Sequence, residues 1–110
     1  MVTAKPFEVR RTPTFQKWLA RLRDRSALRV IESRIARVAA GNLGDAKPVG
    51  GGVSELRVDY GPGYRLYFVR VGNAVVILLC GGDKSTQTAD IEAAKRMART
   101  AKETPDGAED

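Results

Sequence analysis

The sequence contains no histidine and only one cysteine among its 110 residues. Without histidine the chain cannot build a Ser-His-Asp or Cys-His catalytic group, a histidine-bound metal site or an imidazole acid–base pair. A single cysteine excludes an internal disulfide and any metal site made of several cysteines, which favours a reducing compartment.

Long apolar runs are also missing, because the longest, 74–80, has seven residues, far below the roughly 20 that span a bilayer. The N-terminus lacks the apolar stretch of a signal peptide. We therefore expect a cytoplasmic protein that does not bind membranes.

Positive charge is abundant, with 19 Lys and Arg against 13 Asp and Glu and a net charge of +6. Four of the acids and none of the bases lie in 103–110, so residues 1–102 carry 19 bases, 9 acids and a net charge of +10. A strongly basic body favours a polyanionic partner, most often nucleic acid. The length and the ordinary hydrophobic fraction of 43% predict a single domain over 1–102, followed by a disordered acidic tail at 103–110.

Hydrophobic periodicity predicts a strand and a helical hairpin in the first part of the chain. Alternation over 5–11 is typical of a short strand. A first helix begins after Thr12 or Thr14, either of which can act as its N-cap, and a second begins near Ser26 and ends at 41–42. The outer faces of these helices are almost wholly basic, which fits either a nucleic-acid or partner surface or a solvated helix face. The basic residues concerned are Lys17, Arg21, Arg23, Arg25, Arg29, Arg34 and Arg37.

The second part of the chain changes from a helical period to a period of two. Residues 42–52 are predicted to form a loop, because the three glycines at 50–52 suit neither a helix nor a strand interior. A helix with a modest apolar face is predicted at about 88–102, and we expect it to dock loosely or to depend on a partner. Three strands are predicted to form an antiparallel meander, at 53–60, 64–70 and 74–80. The fold class is therefore α+β, with a short N-terminal strand, a two-helix hairpin, a three-stranded meander and a C-terminal helix.

Two arginines fall on the same face of the predicted meander. Arg57 and Arg65 lie on consecutive strands joined by a tight turn, and Lys84 follows the third strand closely enough to reach them. Three gathered cations repel one another unless an anion lies among them, and the planar guanidinium group suits bidentate contact with phosphate. The alternative is that Arg57 pairs with Glu55 or Asp59 as part of a solvated sheet face.

Two side chains near these cations, Tyr67 and Asp83, each allow two interpretations, while Cys80 allows one. Tyr67 shares a face with Arg65, where it could stack on a base or pack beside the arginine stems. Asp83 could orient Lys84 or cap the helix that follows. Cys80 ends an apolar strand and is expected to be buried and inert, since no histidine is present to activate it.

Three stretches of the sequence resemble a known family. They are Glu-Leu-Arg at 55–57, YGPGYRLYF at 60–68 and LLCGGDKSTQ at 78–87. Together with the order of the elements, they resemble the RelE/ParE toxin superfamily, and most closely its addiction-module killer proteins, the phage Gp49-like, HigB-type branch. The likeness spans residues 5–100, nearly the whole chain.

The resemblance implies a RelE-like fold and the toxin of a type II toxin–antitoxin module. It implies a ribosome-dependent mRNA endoribonuclease, or mRNA interferase, that inhibits translation without a metal or other cofactor. The implied partners are a cognate antitoxin of the helix-turn-helix type, the ribosome and mRNA. The implied catalytic residues are Arg57, Arg65 and Lys84, and the candidate RNA contacts are Tyr67, Lys47 and Gln87.

The reaction that the resemblance implies is a transesterification. The ribose 2′-OH attacks the adjacent phosphate and yields a 2′,3′-cyclic phosphate and a 5′-OH. Arg65 would stabilise the charge that develops on the phosphate, and Arg57 would hold the backbone. Because neighbouring positive charges disfavour protonation of an amine, Lys84 is the expected proton carrier.

Two departures from the family pattern bear on the activity. Some relatives use a tyrosine or histidine near the C-terminus, where this chain offers Asp90, and Glu55 replaces one of two bases before the turn. We therefore expect a weak or strictly ribosome-dependent nuclease. Two other functions stay open: a toxin of the same fold that binds DNA gyrase, and a non-catalytic module that binds antitoxin or nucleic acid.

Overall fold

The computed structural model describes residues 5–103, with the side chains of 5–101. It confirms the predicted α+β class. The tail predicted at 103–110 begins on the last residue of the final helix, and residues 104–110 lie outside the described part of the chain. In chain order the elements are β1 (Glu8–Arg11), α1 (Pro13–Ala20), α2 (Arg25–Ala39), β2 (Ala46–Gly50), β3 (Val53–Val58), β4 (Tyr64–Val71), β5 (Val75–Asp83), a 3₁₀ turn (Lys84–Thr86) and α3 (Gln87–Glu103).

The five strands form one mixed sheet in the order β1-β5-β4-β3-β2. Strands β3, β4 and β5 are the predicted antiparallel meander, and β1 joins it in parallel beside β5. The prediction of an unbroken loop at 42–52 was wrong, because β2 pairs antiparallel with β3. An edge strand tolerates Pro48, which has no N–H to donate, and its polar composition hides it from a periodicity search. The sheet therefore extends one strand further beside the candidate site.

Helices cover both faces of the sheet. Helices α1 and α2 pack on one face, and α3 packs on the other, where its Ala94 and Ala98 are fully buried. These two small side chains let α3 lie close to the strands, so the prediction of loose docking was wrong. The first core includes Phe15, Ile31, Leu56, Leu66 and Phe68, and the second includes Val53, Tyr67, Val69, Ile77 and Leu79.

Side chains fix where the two N-terminal helices begin. The Thr12 hydroxyl accepts a hydrogen bond from the amide of Phe15 at 3.0 Å and donates one to the carbonyl of Leu79 at 2.6 Å. It therefore caps α1 and ties the helix to β5 at the same time. Helix α2 is capped by Asp24, two residues before the predicted Ser26, and the Asp24 carboxylate accepts a hydrogen bond from the amide of Ser26 at 2.9 Å.

The structure confirms the predicted basic surface of the helical hairpin at every residue except Arg34. Arg34 was predicted on the outer face, but its side chain is buried and lies against Gly44, where any Cβ would overlap the guanidinium group. Burial lowers the pKa of Arg34, and its Nη2 donates a long bond of 3.4 Å to the carbonyl of Leu43. Arg34 thus holds the loop that follows α2. The other six basic side chains are exposed. Among the residues described, no helix has the length and apolar content needed to cross a bilayer.

Candidate functional site

The three basic residues singled out in the sequence line one cleft. Arg57 and Arg65 stand directly opposite each other in the β3–β4 register, and Lys84 follows β5 on the far side of β4. The cleft has a volume of about 260 Å³ and contains two carboxylates as well, those of Asp45 and Asp59. The predicted juxtaposition is therefore present, although the cations do not stand alone.

The turn between β3 and β4 brings Lys84 to the cleft. Gly63 has a φ of +85°, a conformation that only glycine adopts readily. A Cβ at this position would lie 3.4 Å from Cε of Lys84, so the lysine stem runs along the bare backbone of the turn. The second glycine of the Gly-Pro-Gly turn, Gly63, thus serves both the turn and the side chain that crosses it.

Asp83 fixes the chain direction at the end of β5. Its carboxylate accepts hydrogen bonds from the amide of Ser85 at 2.8 Å and from the hydroxyl of Ser85 at 2.6 Å. These bonds lower the pKa of Asp83 and start the 3₁₀ turn. Of the two interpretations from sequence, the capping role is the one that the contacts confirm, and the exposed Lys84 is the first residue of the capped turn.

Arg57 has a partner that neither sequence interpretation named. Its Nε lies 3.3 Å from the Asp45 carboxylate, and its backbone amide donates to the Asp45 carbonyl at 2.9 Å. Both side chains are substantially exposed, and such a pair contributes little to stability. An incoming phosphate can therefore compete with Asp45 for the Arg57 guanidinium group.

Arg65 is held much more firmly. Its Nη1 lies 2.6 Å from the Glu55 carboxylate, and Glu55 is only 1% exposed. The amide of Gln87, the first residue of α3, donates to both Glu55 oxygens at 3.2 and 3.3 Å. The alternative in which Arg57 pairs with Glu55 on a solvated face is wrong, because Glu55 is buried where α3 covers the sheet and pairs with Arg65.

The three predicted RNA contacts have different surroundings. Lys47 is exposed on the edge strand β2, opposite Glu55 in the register. Gln87 is half-buried and bonded to Glu55. Tyr67 is fully buried beneath α3, its hydroxyl has no hydrogen-bond partner among the described residues, and burial raises its pKa. A buried ring cannot stack on a base, so the stacking interpretation of Tyr67 was wrong and the packing alternative fits.

Two residues of the cleft region were missed or undervalued in the sequence. Asp45 falls in a segment interpreted as a loop, and its pairing with Arg57 spans an interval that no periodicity reveals. Glu55 was visible as a departure from two bases before the turn, and that departure was the available signal. Its burial depends on α3, whose position the sequence pattern did not specify.

Asp90 and Cys80 lie outside the cleft lining. The Asp90 carboxylate accepts a 2.6 Å hydrogen bond from the Thr86 hydroxyl and occupies the space above Gly82, where a Cβ would overlap it. The Cys80 thiol donates a 3.7 Å bond to the Asp90 carbonyl, and burial raises its pKa to about 12. Cys80 is therefore a neutral thiol, as expected from sequence. Within the described part of the chain, no three His, Cys, Asp or Glu side chains form a group that could hold a metal ion.

Known proteins resemble this chain in sequence and in fold. The family model described as phage-derived protein Gp49-like matches residues 17–103. An uncharacterized protein of Haemophilus influenzae is 48% identical over 92 residues, which cover 84% of this chain and 93% of that protein. The crystal structure of the toxin–antitoxin complex RelBE2 from Mycobacterium tuberculosis contains a chain that aligns with a TM-score of 0.56 and 23% identity, covering 73% of this chain and 93% of that one. At this level of identity the structural likeness concerns the fold.

Proposed function

The chain belongs to the phage-derived Gp49-like family, and from this premise we propose that it is the toxin of a type II toxin–antitoxin module. We propose further that it acts as a ribosome-dependent mRNA endoribonuclease. The observation that carries this proposal is the cleft in which Arg57 and Arg65 face each other beside Lys84. The likeness to a chain in a toxin–antitoxin complex supports the same conclusion at the level of the fold.

The proposed reaction is a transesterification in which the three cations of the cleft act on the scissile phosphate and its leaving group. The 2′ oxygen of the ribose forms a bond to phosphorus and the bond to the 5′ oxygen breaks, leaving a 2′,3′-cyclic phosphate and a 5′-OH. Negative charge builds on the non-bridging oxygens, and a guanidinium group held in position stabilises this charge. Arg65 has this role in the proposal, because its buried anchor leaves it little freedom to move away.

Arg57 and Lys84 have the two remaining roles in the proposed reaction. Arg57 is only loosely paired with the exposed Asp45, so it can exchange that carboxylate for the RNA backbone. The exposed ammonium group of Lys84 donates a proton to the departing 5′ oxygen, while the proton of the 2′-OH leaves to water. The chain has no histidine to accelerate the removal of that proton, which supports dependence on the ribosome to align the 2′ oxygen with the scissile bond.

The basic helical surface supports binding to a large RNA. Six exposed cations on α1, α2 and the turn between them lie outside the cleft, and such a surface adds affinity for polyanions that falls with salt. Lys47, exposed on β2 beside the cleft, is a proposed contact to the same RNA. We propose a cognate antitoxin as the second partner, and action on cytoplasmic ribosomes.

The test is expression of the chain and of Arg65→Ala and Lys84→Ala variants, followed by mapping of transcript 5′ ends. We expect codon-phased cleavage by the wild-type chain and its loss in both variants. Arg99→Ala and Lys5→Ala are matched controls, because both side chains are exposed and neither lines the cleft. These controls should cleave like the wild type.

Two outcomes would contradict the proposal in different ways. Intact mRNA together with DNA damage would favour a toxin that binds DNA gyrase. Harmless expression with intact mRNA would favour a non-catalytic module that binds antitoxin or nucleic acid. Purified protein that has been treated with chelator and dialysed before it is added to translating ribosomes provides the biochemical counterpart, and cleavage should persist after this treatment.

A further inference from the structure

A buried carboxylate lies directly behind the cleft. Glu55 is 1% exposed, and among the described residues the ion pair that it forms is with Arg65, whose Nη1 lies 2.6 Å away. A buried ionised pair is costly to desolvate and is retained only when its geometry and its additional hydrogen bonds are good. A hydrophobic residue at position 55 would avoid that cost, so the pair calls for a reason other than stability.

Gln87 provides the additional hydrogen bonds. Its amide nitrogen donates to both oxygens of Glu55, at 3.2 and 3.3 Å. Because Gln87 begins α3 and follows the capped 3₁₀ turn, its backbone is fixed by two adjoining elements. The order of contacts is therefore Gln87 to Glu55 to Arg65, from the start of α3 through β3 to β4.

The contact between Glu55 and Arg65 uses one corner of the guanidinium group. Only Nη1 bonds to the carboxylate, while Arg65 is one of the residues that line the cleft with Arg57 and Lys84. Its Nε is buried and has no hydrogen-bond partner among the described residues. A long arginine side chain loses much rotational freedom when it binds a ligand. Fixing one corner of the group in advance removes most of that loss and keeps the guanidinium group at the wall of the cleft.

We infer that Glu55 and Gln87 are positioning residues that hold Arg65 in the orientation needed to stabilise the phosphate during cleavage. This inference rests on the proposed function and deepens it. It also gives Gln87 a role different from the RNA contact predicted from sequence. Its amide is directed at Glu55, and Gln87 is not among the residues that line the cleft.

The inference predicts which kinetic parameter changes. In a cleavage assay on translating ribosomes, Gln87→Leu should lower kcat by about tenfold or more, the usual size of effects from residues that orient a reacting group. The half-saturating ribosome concentration should stay within about twofold, because binding to the ribosome does not involve Gln87. Thr88→Ala is the matched control, since Thr88 is the exposed neighbour of Gln87 in the first turn of α3.

Glu55 is tested by a pair of variants. Glu55→Gln keeps the size and one acceptor oxygen but removes the charge, and it should lower kcat more than Gln87→Leu does. Glu55→Asp keeps the charge on a shorter side chain, so its kcat should lie between that of Glu55→Gln and that of the wild type. If Glu55→Gln fails to fold, Gln87→Leu decides the question by itself, because it removes no charge from the interior.

A second measurement does not depend on activity. In nitrogen-15 NMR spectra, the Nη protons of an immobilised guanidinium group give separate signals, and Arg65→Lys identifies those of Arg65. We expect resolved Arg65 signals in the wild type and in Thr88→Ala, and averaged signals in Gln87→Leu and Glu55→Gln.

Each contrary result overturns the inference in a recognisable way. A raised half-saturating concentration with unchanged kcat in Gln87→Leu would make Gln87 an RNA contact. Resolved Arg65 signals and wild-type kcat in both variants would show that neither residue positions Arg65. If the wild-type protein cleaves no mRNA, the proposed function fails. The NMR comparison then decides alone whether Arg65 is positioned, with averaged signals in the variants supporting the inference and resolved ones refuting it.

Discussion

Replacing Arg65 by methionine should destabilise the protein far more than an ordinary loss of an ion pair does. The change leaves the Glu55 carboxylate, 1% exposed, without its counter-ion. Removing one partner from a buried pair costs about 3–5 kcal/mol. For a domain of this size each kcal/mol corresponds to a fall in Tm of about 4–8 °C. Arg65→Met should therefore lower Tm by at least about 12 °C.

A second substitution should reverse the loss. In Glu55→Leu/Arg65→Met both charges are gone and two apolar side chains fill a similar volume beneath α3. Replacements of this kind are often neutral or stabilising by about 1–4 kcal/mol relative to the original pair. The double variant should unfold at or above the wild-type denaturant midpoint, and it should cleave no mRNA.

The assays are thermal and chemical denaturation followed by circular dichroism, with all four members of the cycle measured under the same conditions. Arg11→Met is the matched control. Arg11 donates two hydrogen bonds to Glu32, at 2.7 and 3.0 Å, but that pair lies in partial contact with solvent. Breaking it should cost less than about 1 kcal/mol. The contrast between the two arginines isolates the effect of burial.

A small loss in Arg65→Met, similar to that in Arg11→Met, would refute the reasoning, because it would mean that water reaches Glu55 in the folded protein. A double variant as unstable as Arg65→Met would also refute it, since the loss would then not come from an unpaired charge. The cycle also guards the functional test, because a stable but inactive double variant separates loss of activity from loss of fold.

Three further changes test other parts of the structure. Gly81→Ala should lower the free energy of unfolding by about 1–3 kcal/mol and shift the fluorescence emission of the single tryptophan, because the new Cβ would lie 2.5 Å from carbons of the Trp18 ring. Unchanged fluorescence and stability would contradict this packing. Burial raises the pKa of the Cys80 thiol to about 12. Below about pH 8.5 the thiol is neutral in both the folded and the unfolded chain, so its contribution to stability is fully present. At higher pH the unfolded thiol ionises, and the free energy of unfolding falls. Between about pH 8.5 and 10, Cys80→Ala should therefore show a shallower decline in denaturation midpoint than the wild type, and equal slopes would argue against a buried thiol. Tyr67→Phe removes a buried hydroxyl without a partner among the described residues, so stability should stay equal or rise by up to about 1 kcal/mol with mRNA cleavage intact. Impaired RNA binding would instead indicate that the hydroxyl contacts RNA.

The elements with strong local signals were predicted well from sequence. The alternation along β3 and β4 and the tight turn between them placed Arg57 opposite Arg65, and the register has them as direct partners. The start of α1 was predicted with either Thr12 or Thr14 as its N-cap, and the structure has Thr12. In each case the signal lies within about ten residues, which is the range over which backbone periodicity and capping act.

The errors share a different origin. Strand β2 carries little hydrophobic signal because it is an exposed edge whose hydrogen bonds go to β3. Arg34 is chemically identical to its exposed neighbours, and only its contact with the loop at Gly44 buries it. The burial of Tyr67 and Glu55 was not predicted, because alternation separates the two faces of a sheet without revealing what covers each one.

By itself, the sequence determined the class of the fold, the meander with its paired arginines, the basic character of the body and the exclusion of histidine chemistry. These properties follow from amino-acid composition and short-range periodicity, which do not depend on where a residue lies in the folded protein. Only the tertiary structure decided that α3 closes over the second face of the sheet, and with it that Glu55 is buried against Arg65 and braced by Gln87. The physical reason is that the cost of a charge depends on the water around it, and that water is removed by an element more than 30 residues away along the chain.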